Sequence, residues 1–280
     1  MAAGPPRDAP CSRGHTVSLR ALGAAGIAAA ALSLAACGGD GEPRETVTVL
    51  AAASLTDAFG ELAAAFEARN PDVTVRVSFA GSATLRTQAL EGAPADVFAS
   101  ASPDEVEALE AAGLVVEAQG LATNTLVVAV AEDAGSRIAA FEDLAGPGLR
   151  LVLAAAEVPA GRYARESLAL ADASGSYGPG FATRVLANVR SNEANVRATL
   201  AKVELGEADA AIVYASDLAG GAPEGVRAVA IPERFQVAAE YRIALLSEGD
   251  AARAFVAFVT SPEGEAVLAR HGFAPVGVTP

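Results

Sequence analysis

Short apolar runs alternate with amphipathic stretches along the chain from Thr46 onward. Runs rich in β-branched residues predict strands at 47–52, 73–79, 95–100, 125–131, 149–155, 208–216, 226–232 and 241–247. Apolar positions three and four residues apart predict helices at 55–69, 181–189, 195–206 and 250–271, the last interrupted at 261–263, a helix that begins at Ser82 within 81–93, and a loop followed by a helix within 158–172. Strands separated by such helices form right-handed crossover units, so the pattern predicts an α/β fold with mainly parallel sheets.

Two helices carry additional local signals. In the helix at 55–69, Phe59, Leu62, Ala63 and Phe66 share one face, which we expect to be buried. The stretch "SPDE" begins another helix at Ser102, with Pro103 at its first position and Glu105 placed to complete a capping box. The strand count fits one sheet or two. The length of 280 residues favours two lobes.

The first 36 residues have the pattern of an export signal. Three arginines precede the apolar run at 21–36, which is short for a membrane span of about 20 residues. The "LAAC" sequence at 34–37 resembles the lipobox of bacterial lipoproteins, which implies cleavage before Cys37 and its lipidation. Residues 37–46 then form a flexible tether. The alternative is an ordinary secretory signal with an incidental Cys37.

The charge of the chain excludes one class of partner. The formal net charge is −14, and it is about −16 without residues 1–36, which contribute three arginines and one aspartate. Nucleic acid binding requires a positive face, and the chain has a single lysine, Lys202, and no basic run. We therefore expect no nucleic acid partner.

Residues suited to catalysis or metal binding are scarce in the sequence. His15 belongs to the signal, and His271 is expected to support the C-terminal end of the last helix. Cysteine and histidine spacings typical of metal sites are missing, as are the G-x-S-x-G motif and the Gly-rich phosphate loops. We expect no catalytic residue, no cofactor and no direct metal ligand.

Small or hydroxyl residues recur where a helix is predicted to begin after a strand or loop. Ser54, Ser82, the 159–161 turn and Asn195 all occupy such positions. The first turn of a helix presents unpaired N–H groups, and several of them directed at one point form an anion site without a cationic side chain. Each residue also has a purely structural interpretation: serine as a cap, and Tyr214 as an aromatic residue of a strand.

Taken together, six segments resemble the molybdate-binding proteins of bacterial ABC importers. They occur in family order over residues 47–276: "AAASLTDAF", "SFAGSATLRTQ", "GAPADVFASA", "VPAGRYARE", "NVRATLAKVELGEADAAIVYASD" and "RHGFAPV". The resemblance implies a two-lobed periplasmic-binding-protein fold of type II with the ligand in the cleft between the lobes. Lobe 1 is expected to comprise residues 47–124 and 236–280, and lobe 2 residues 125–235, with hinges near 122–126 and 232–238.

The same resemblance implies the ligand contacts. The Ser54 and Ser82 hydroxyl and backbone groups, the Ala160 and Val196 backbone N–H groups and the Tyr214 hydroxyl are expected to hold the oxyanion. Ser54 is thus expected to be both a helix cap and a ligand donor. Molybdenum would be bound only as the molybdate ion, without a bond from protein to metal.

The implied role is capture of molybdate or tungstate by an exported, lipid-anchored monomer outside the cytoplasmic membrane. Its partners would be an ABC permease and the ATPase of that permease. Sulfate and phosphate remain alternative ligands. Asp57 and Asp217 lie close to the contact motifs and could accept the proton of a phosphate. An envelope hydrolase with Ser54 or Ser82 as its nucleophile is a further alternative.

Overall fold

Strands and helices alternate through residues 44–278, the part of the chain that the computed structural model describes. The strands are β1 (Glu45–Ala52), β2 (Val73–Ala80), β3 (Val97–Ser100), β4 (Glu117–Asn124), β5 (Leu126–Ala131), β6 (Leu151–Ala154), β7 (Val189–Glu193), β8 (Ala210–Tyr214), β9 (Val226–Ala230) and β10 (Ala239–Leu245). The helices are α1 (Thr56–Arg69), α2 (Ser82–Leu90), α3 (Pro103–Ala111), α4 (Pro159–Ala173), α5 (Phe181–Ala187), α6 (Val196–Glu204), α7 (Asp250–Val259) and α8 (Pro262–Arg270). None of these helices has the length and hydropathy needed to cross a bilayer.

The predicted N-terminal features lie almost entirely outside the described residues. The signal peptide at 1–36, Cys37 and the tether as far as residue 43 belong to this undescribed part. Strand β1 begins at Glu45, so the last two residues of the predicted tether already belong to the first sheet.

The strands form two five-stranded sheets. The first has the order β2-β1-β3-β10-β4 and the second the order β7-β6-β8-β5-β9. The chain enters the second sheet between Asn124 and Leu126 and returns to the first between Ala230 and Ala239. We call the first sheet with α1–α3, α7 and α8 lobe 1, and the second sheet with α4–α6 lobe 2.

Both sheets are mixed, whereas the sequence pattern predicts mainly parallel sheets. Two of the four pairings in each sheet are antiparallel, because β10 lies against β3 and β4, and β5 lies against β8 and β9. These antiparallel strands, β5 and β10, directly follow the two passages of the chain between the lobes. Such a passage does not need the helix crossover that makes neighbouring strands parallel.

Two strands are missing from the sequence prediction, β4 and β7. Both lie at the edge of a sheet, and both contain polar residues, in "EAQGLATN" and "VRSNE". In both strands the polar residues interrupt the apolar run, and an edge position tolerates them because part of the strand is exposed. The hydrophobic signal that identifies the other strands is therefore absent from these two.

Aromatic side chains cluster among the helices and loops of each lobe. The predicted apolar face of α1 is confirmed, because Phe59, Leu62, Ala63 and Phe66 are all buried. In lobe 1 the ring of Phe66 lies edge-on to Phe255, with centroids 5.2 Å apart. In lobe 2, Phe141, Phe181, Tyr177 and Phe235 form a second cluster.

The beginning of α3 differs from its prediction. Ser102 is the N-cap residue and Pro103 follows it, but the Ser102 side chain forms no capping hydrogen bond. Its hydroxyl instead accepts a hydrogen bond from Arg162 at 2.7 Å. Glu105 is buried and pairs with Arg86 at 2.8 Å, so the predicted capping box is wrong.

Candidate functional site

Four helical segments begin at one cavity between the two sheets. The cavity is small, at about 10 Å³, and is lined by Ala52, Ala53, Ser54, Ala80, Gly81, Ser82, Ala101, Val158, Pro159, Ala160, Asn195, Val196 and Tyr214. This set contains all five residues that the sequence analysis singles out for oxyanion contact. Each of the five is at most 3 % exposed.

Lobe 1 contributes the two serines. Ser54 lies in a short 3₁₀ turn, Ala53–Leu55, between β1 and α1, and its hydroxyl lies 2.8 Å from the hydroxyl of Tyr241. The predicted capping role of Ser54 is wrong, because α1 begins after Leu55 and no side chain caps the turn. Ser82 is the first residue of α2, and its hydroxyl accepts a hydrogen bond from the Ala101 N–H at 3.1 Å.

Lobe 2 contributes two helix N-termini. Ala160 is the second residue of α4, after Pro159, and Val196 is the first residue of α6. Asn195 caps α6 by accepting from the Ala198 N–H at 2.9 Å. The N–H groups of the first helical turn have no carbonyl one turn earlier, so those of Ala160 and Val196 remain free to bind a ligand.

Tyr214 ends β8 at the floor of the cavity. It is 1 % exposed, and within the described residues its hydroxyl has no hydrogen-bond partner. Burial raises the pKa of this phenol well above its usual range, so the group keeps its proton at any physiological pH. A buried hydroxyl without a partner costs free energy, which a ligand that accepts its hydrogen bond would recover.

The cavity is a set of neutral donors without a charged side chain among the described residues that line it. Asp57 and Asp217 lie outside the lining, and both carboxylates pair with Arg197, at 2.5 and 3.0 Å. An acceptor for the proton of a hydrogen phosphate is therefore not provided by either side chain. Hydroxyls and first-turn N–H groups bind an acceptor-only anion best.

Two arginines of lobe 2 reach across to lobe 1, and the sequence analysis missed both. Arg197 on α6 pairs with Asp57 of α1. Arg162 on α4 donates to Ser102 and pairs with Asp104 at 3.0 Å. Arg197 directly follows Val196, and Arg162 lies two residues after Ala160. This closeness to predicted contact residues is the only local signal in the sequence that points to the two arginines. Both pairs link lobe 2 to lobe 1.

Asp217 is expected to make the stability of the protein depend on pH. Burial raises the pKa of its carboxyl to about 7, although Arg197 and the Tyr214 N–H act against the rise. The unfolded chain releases this proton near pH 4, so the group lowers the stability as the pH rises from about 4 to about 7. We expect Asp217→Asn to abolish this decline, which amounts to about 4 kcal/mol.

Urea unfolding of the wild type and of Asp217→Asn at pH 4 to 8 measures this effect. The wild type should lose stability relative to the variant as the pH rises, and the difference should level off above about pH 7. Parallel profiles for the two proteins would contradict the raised pKa.

Within the described residues, the two serines of the cavity have no histidine or metal site beside them that could activate a nucleophile. The His271 ring lies 2.9 Å from Glu61 of α1, away from both serines of the cavity. Within residues 44–278 no group of three or more histidine, cysteine, aspartate or glutamate side chains is arranged to hold a metal ion. The nearest polar neighbour of Ser54 is a tyrosine hydroxyl, which stays protonated because burial raises its pKa.

The fold and the neutral cavity between two lobes are those of a solute-binding protein. Residues 47–274 match the family of bacterial extracellular solute-binding proteins, and the chain belongs to this family. The molybdate-binding protein ModA of Mycobacterium bovis is 40 % identical over 233 residues, which cover 82 % of this chain and 84 % of that protein. ModA of Escherichia coli is 34 % identical over 258 residues, covering 88 % and 96 % of the two chains.

A solved structure with the same fold is the periplasmic molybdate-binding protein of Azotobacter vinelandii. It superposes with a TM-score of 0.70 at 19 % sequence identity, over 84 % of this chain and 99 % of that one. The predicted two-lobed α/β fold of type II is thereby confirmed. Proteins of this class bind solutes and are not enzymes, so the hydrolase alternative is dropped.

Proposed function

We propose that this protein captures molybdate or tungstate outside the cytoplasmic membrane and delivers the ion to an ABC permease and its ATPase. The observation that carries the proposal is the convergence of Ser54, Ser82, Ala160, Val196 and Tyr214 on one neutral, buried cavity. The relatives named as molybdate-binding proteins support the same ligand.

The donors of the cavity suit a fully deprotonated tetrahedral ion. Such an ion offers only acceptors, and the two serine hydroxyls, the Tyr214 hydroxyl and the first-turn N–H groups can all donate to it. A protonated ligand would leave donors unpaired in the closed cavity, at a cost of about 1–3 kcal/mol per group. Because no donor is cationic, the attraction is limited and the ion can leave when the lobes separate.

Binding and release require the lobes to move. The five contact residues are almost completely buried, so an ion can reach them only when lobe 2 moves away from lobe 1. We place the hinges near 122–126 and 232–238, where the chain passes between the sheets. The Arg197–Asp57 and Arg162–Asp104 pairs would then break on opening and form again on closure.

The donors of the cavity discriminate between molybdate and other oxyanions to different degrees. Tungstate has nearly the same shape and charge, and the donor set does not distinguish the two ions. Sulfate is smaller, so it would fit donors spaced for a larger tetrahedron less well. Hydrogen phosphate carries a proton that needs an acceptor, and the Asp57 and Asp217 carboxylates pair with Arg197 instead.

We propose that the protein is exported and anchored to the membrane by a lipid. Family membership implies export, and the "LAAC" sequence supports a lipid anchor at Cys37 that keeps the monomer beside its permease. Mass spectrometry of the protein from membranes tests the anchor. A diacylated N-terminal Cys37 is expected, and a mature protein with a free thiol at Cys37 would contradict the lipid anchor.

Thermal unfolding with separate oxyanions tests the ligand. A ligand at 1,000 times its Kd adds about 4 kcal/mol of stability, which for a protein of this size raises Tm by roughly 8–16 °C. We expect this rise with molybdate and tungstate and almost none with sulfate or phosphate. A rise with sulfate or phosphate alone would keep the class of protein and change the ligand.

A further inference from the structure

A second tyrosine, Tyr241, lies outside the lining of the cavity and forms a hydrogen bond with Ser54, one of the proposed ligand donors. Its hydroxyl lies 2.8 Å from the Ser54 hydroxyl, across a sequence separation of 187 residues. It lies on β10, at the point where the register of β10 against β4 shifts between Tyr241 and Arg242. Such an irregularity redirects a side chain. Tyr241 is 1 % exposed and is not among the residues that line the cavity.

The proton count at Ser54 determines what this contact can do. A serine hydroxyl has one proton and can accept further hydrogen bonds. If Ser54 donates to Tyr241, nothing remains for an ion that offers only acceptors. If Tyr241 donates to Ser54, the Ser54 proton is directed elsewhere. The second arrangement is therefore the one compatible with an oxyanion in the cavity.

Tyr241 has a proton that it can donate. Burial raises the pKa of its phenol, so the hydroxyl stays protonated at any physiological pH. Within the described residues, the hydrogen-bond partner of this hydroxyl is Ser54.

We propose that Tyr241 is a positioning residue that donates its proton to Ser54 and so commits the Ser54 hydroxyl to donate into the cavity. The order of donation runs from Tyr241 to Ser54 and from Ser54 to the ion. Donors in such a series polarise one another, which strengthens the last hydrogen bond. This inference rests on the proposed oxyanion function.

A double-mutant cycle with molybdate as the probe tests the proposal. Affinities are measured by titration calorimetry for the wild type, Tyr241→Phe, Ser54→Ala and the double variant. We expect Tyr241→Phe to weaken binding about tenfold, the effect of one hydrogen bond. In the Ser54→Ala background the same change should alter the affinity by less than twofold, because Tyr241 then has no hydroxyl to orient.

Tyr177→Phe is the matched control, since Tyr177 belongs to the aromatic cluster of lobe 2, and it should bind like the wild type. Urea unfolding without ligand separates binding from folding. An unchanged affinity of Tyr241→Phe, or an equal loss in both backgrounds, would overturn the positioning role alone. A wild type that binds no oxyanion would overturn the proposed function and this inference with it.

Discussion

Tyr214→Phe is expected to weaken molybdate binding by 10- to 150-fold without destabilising the ligand-free protein. The variant removes one hydrogen bond to a charged ligand, which contributes about 1.5–3 kcal/mol. It also removes a buried hydroxyl that has no partner within the described residues. The ligand-free variant should therefore be as stable as the wild type or more stable. Calorimetric titration and urea unfolding of the same samples measure both quantities.

Ser82→Ala provides the informative comparison for this prediction. It should weaken binding by a similar factor, but it also leaves the buried Ala101 N–H without its acceptor. We therefore expect Ser82→Ala to lose about 1–3 kcal/mol of stability as well, unlike Tyr214→Phe. Equal affinities of the wild type and Tyr214→Phe would remove Tyr214 from the site.

Gly161→Ala is expected to cost about 3 kcal/mol of stability and to impair binding. Gly161 is the third residue of α4, where the helix begins against the end of β6. A Cβ at this position would lie 2.1 Å from the Ala155 carbonyl oxygen and 2.3 Å from that of Ala154. Both neighbours are backbone atoms, so α4 must move, and the Ala160 N–H moves with it.

Gly60→Ala is the matched control for Gly161→Ala. Gly60 lies on the exposed face of α1, and no atom lies within 4 Å of the position of its added Cβ. Alanine is favoured over glycine inside a helix, so this variant should gain about 0.5–1 kcal/mol. Chemical denaturation compares the two variants. A Gly161→Ala protein with the stability of the wild type would contradict the close approach of α4 to β6.

Four of the five proposed contact residues lie at or beside a local signal in the sequence, and the resemblance to a known family is what marks all five as contacts. Ser54, Ser82 and Ala160 follow a strand and begin a helix or turn, and this order of elements appears in the hydrophobic pattern. Val196 is found through Asn195, which caps α6 as serine, aspartate or asparagine commonly does. Tyr214 ends a buried strand and stands out only through the resemblance to a known family.

The residues that the sequence analysis missed act through distant partners. Tyr241 meets Ser54 across 187 residues, and Arg197 meets Asp57 across 140. Neither contact can be predicted from the periodicity of the sequence, because each contact depends on how distant elements of the chain are arranged in space. The strand directions escape prediction for a related reason, since β5 and β10 are placed by the passages between the lobes and not by local helix crossovers.

A crystal structure of the protein with molybdate, solved with the anomalous signal of molybdenum, tests the central claim most directly. We expect one strong peak in the cavity between the lobes, with oxygens within hydrogen-bond distance of the Ser54, Ser82 and Tyr214 hydroxyls and of the Ala160 and Val196 N–H groups. A molybdenum peak outside this cavity, or inside it but bound by arginine side chains, would contradict the neutral donor site.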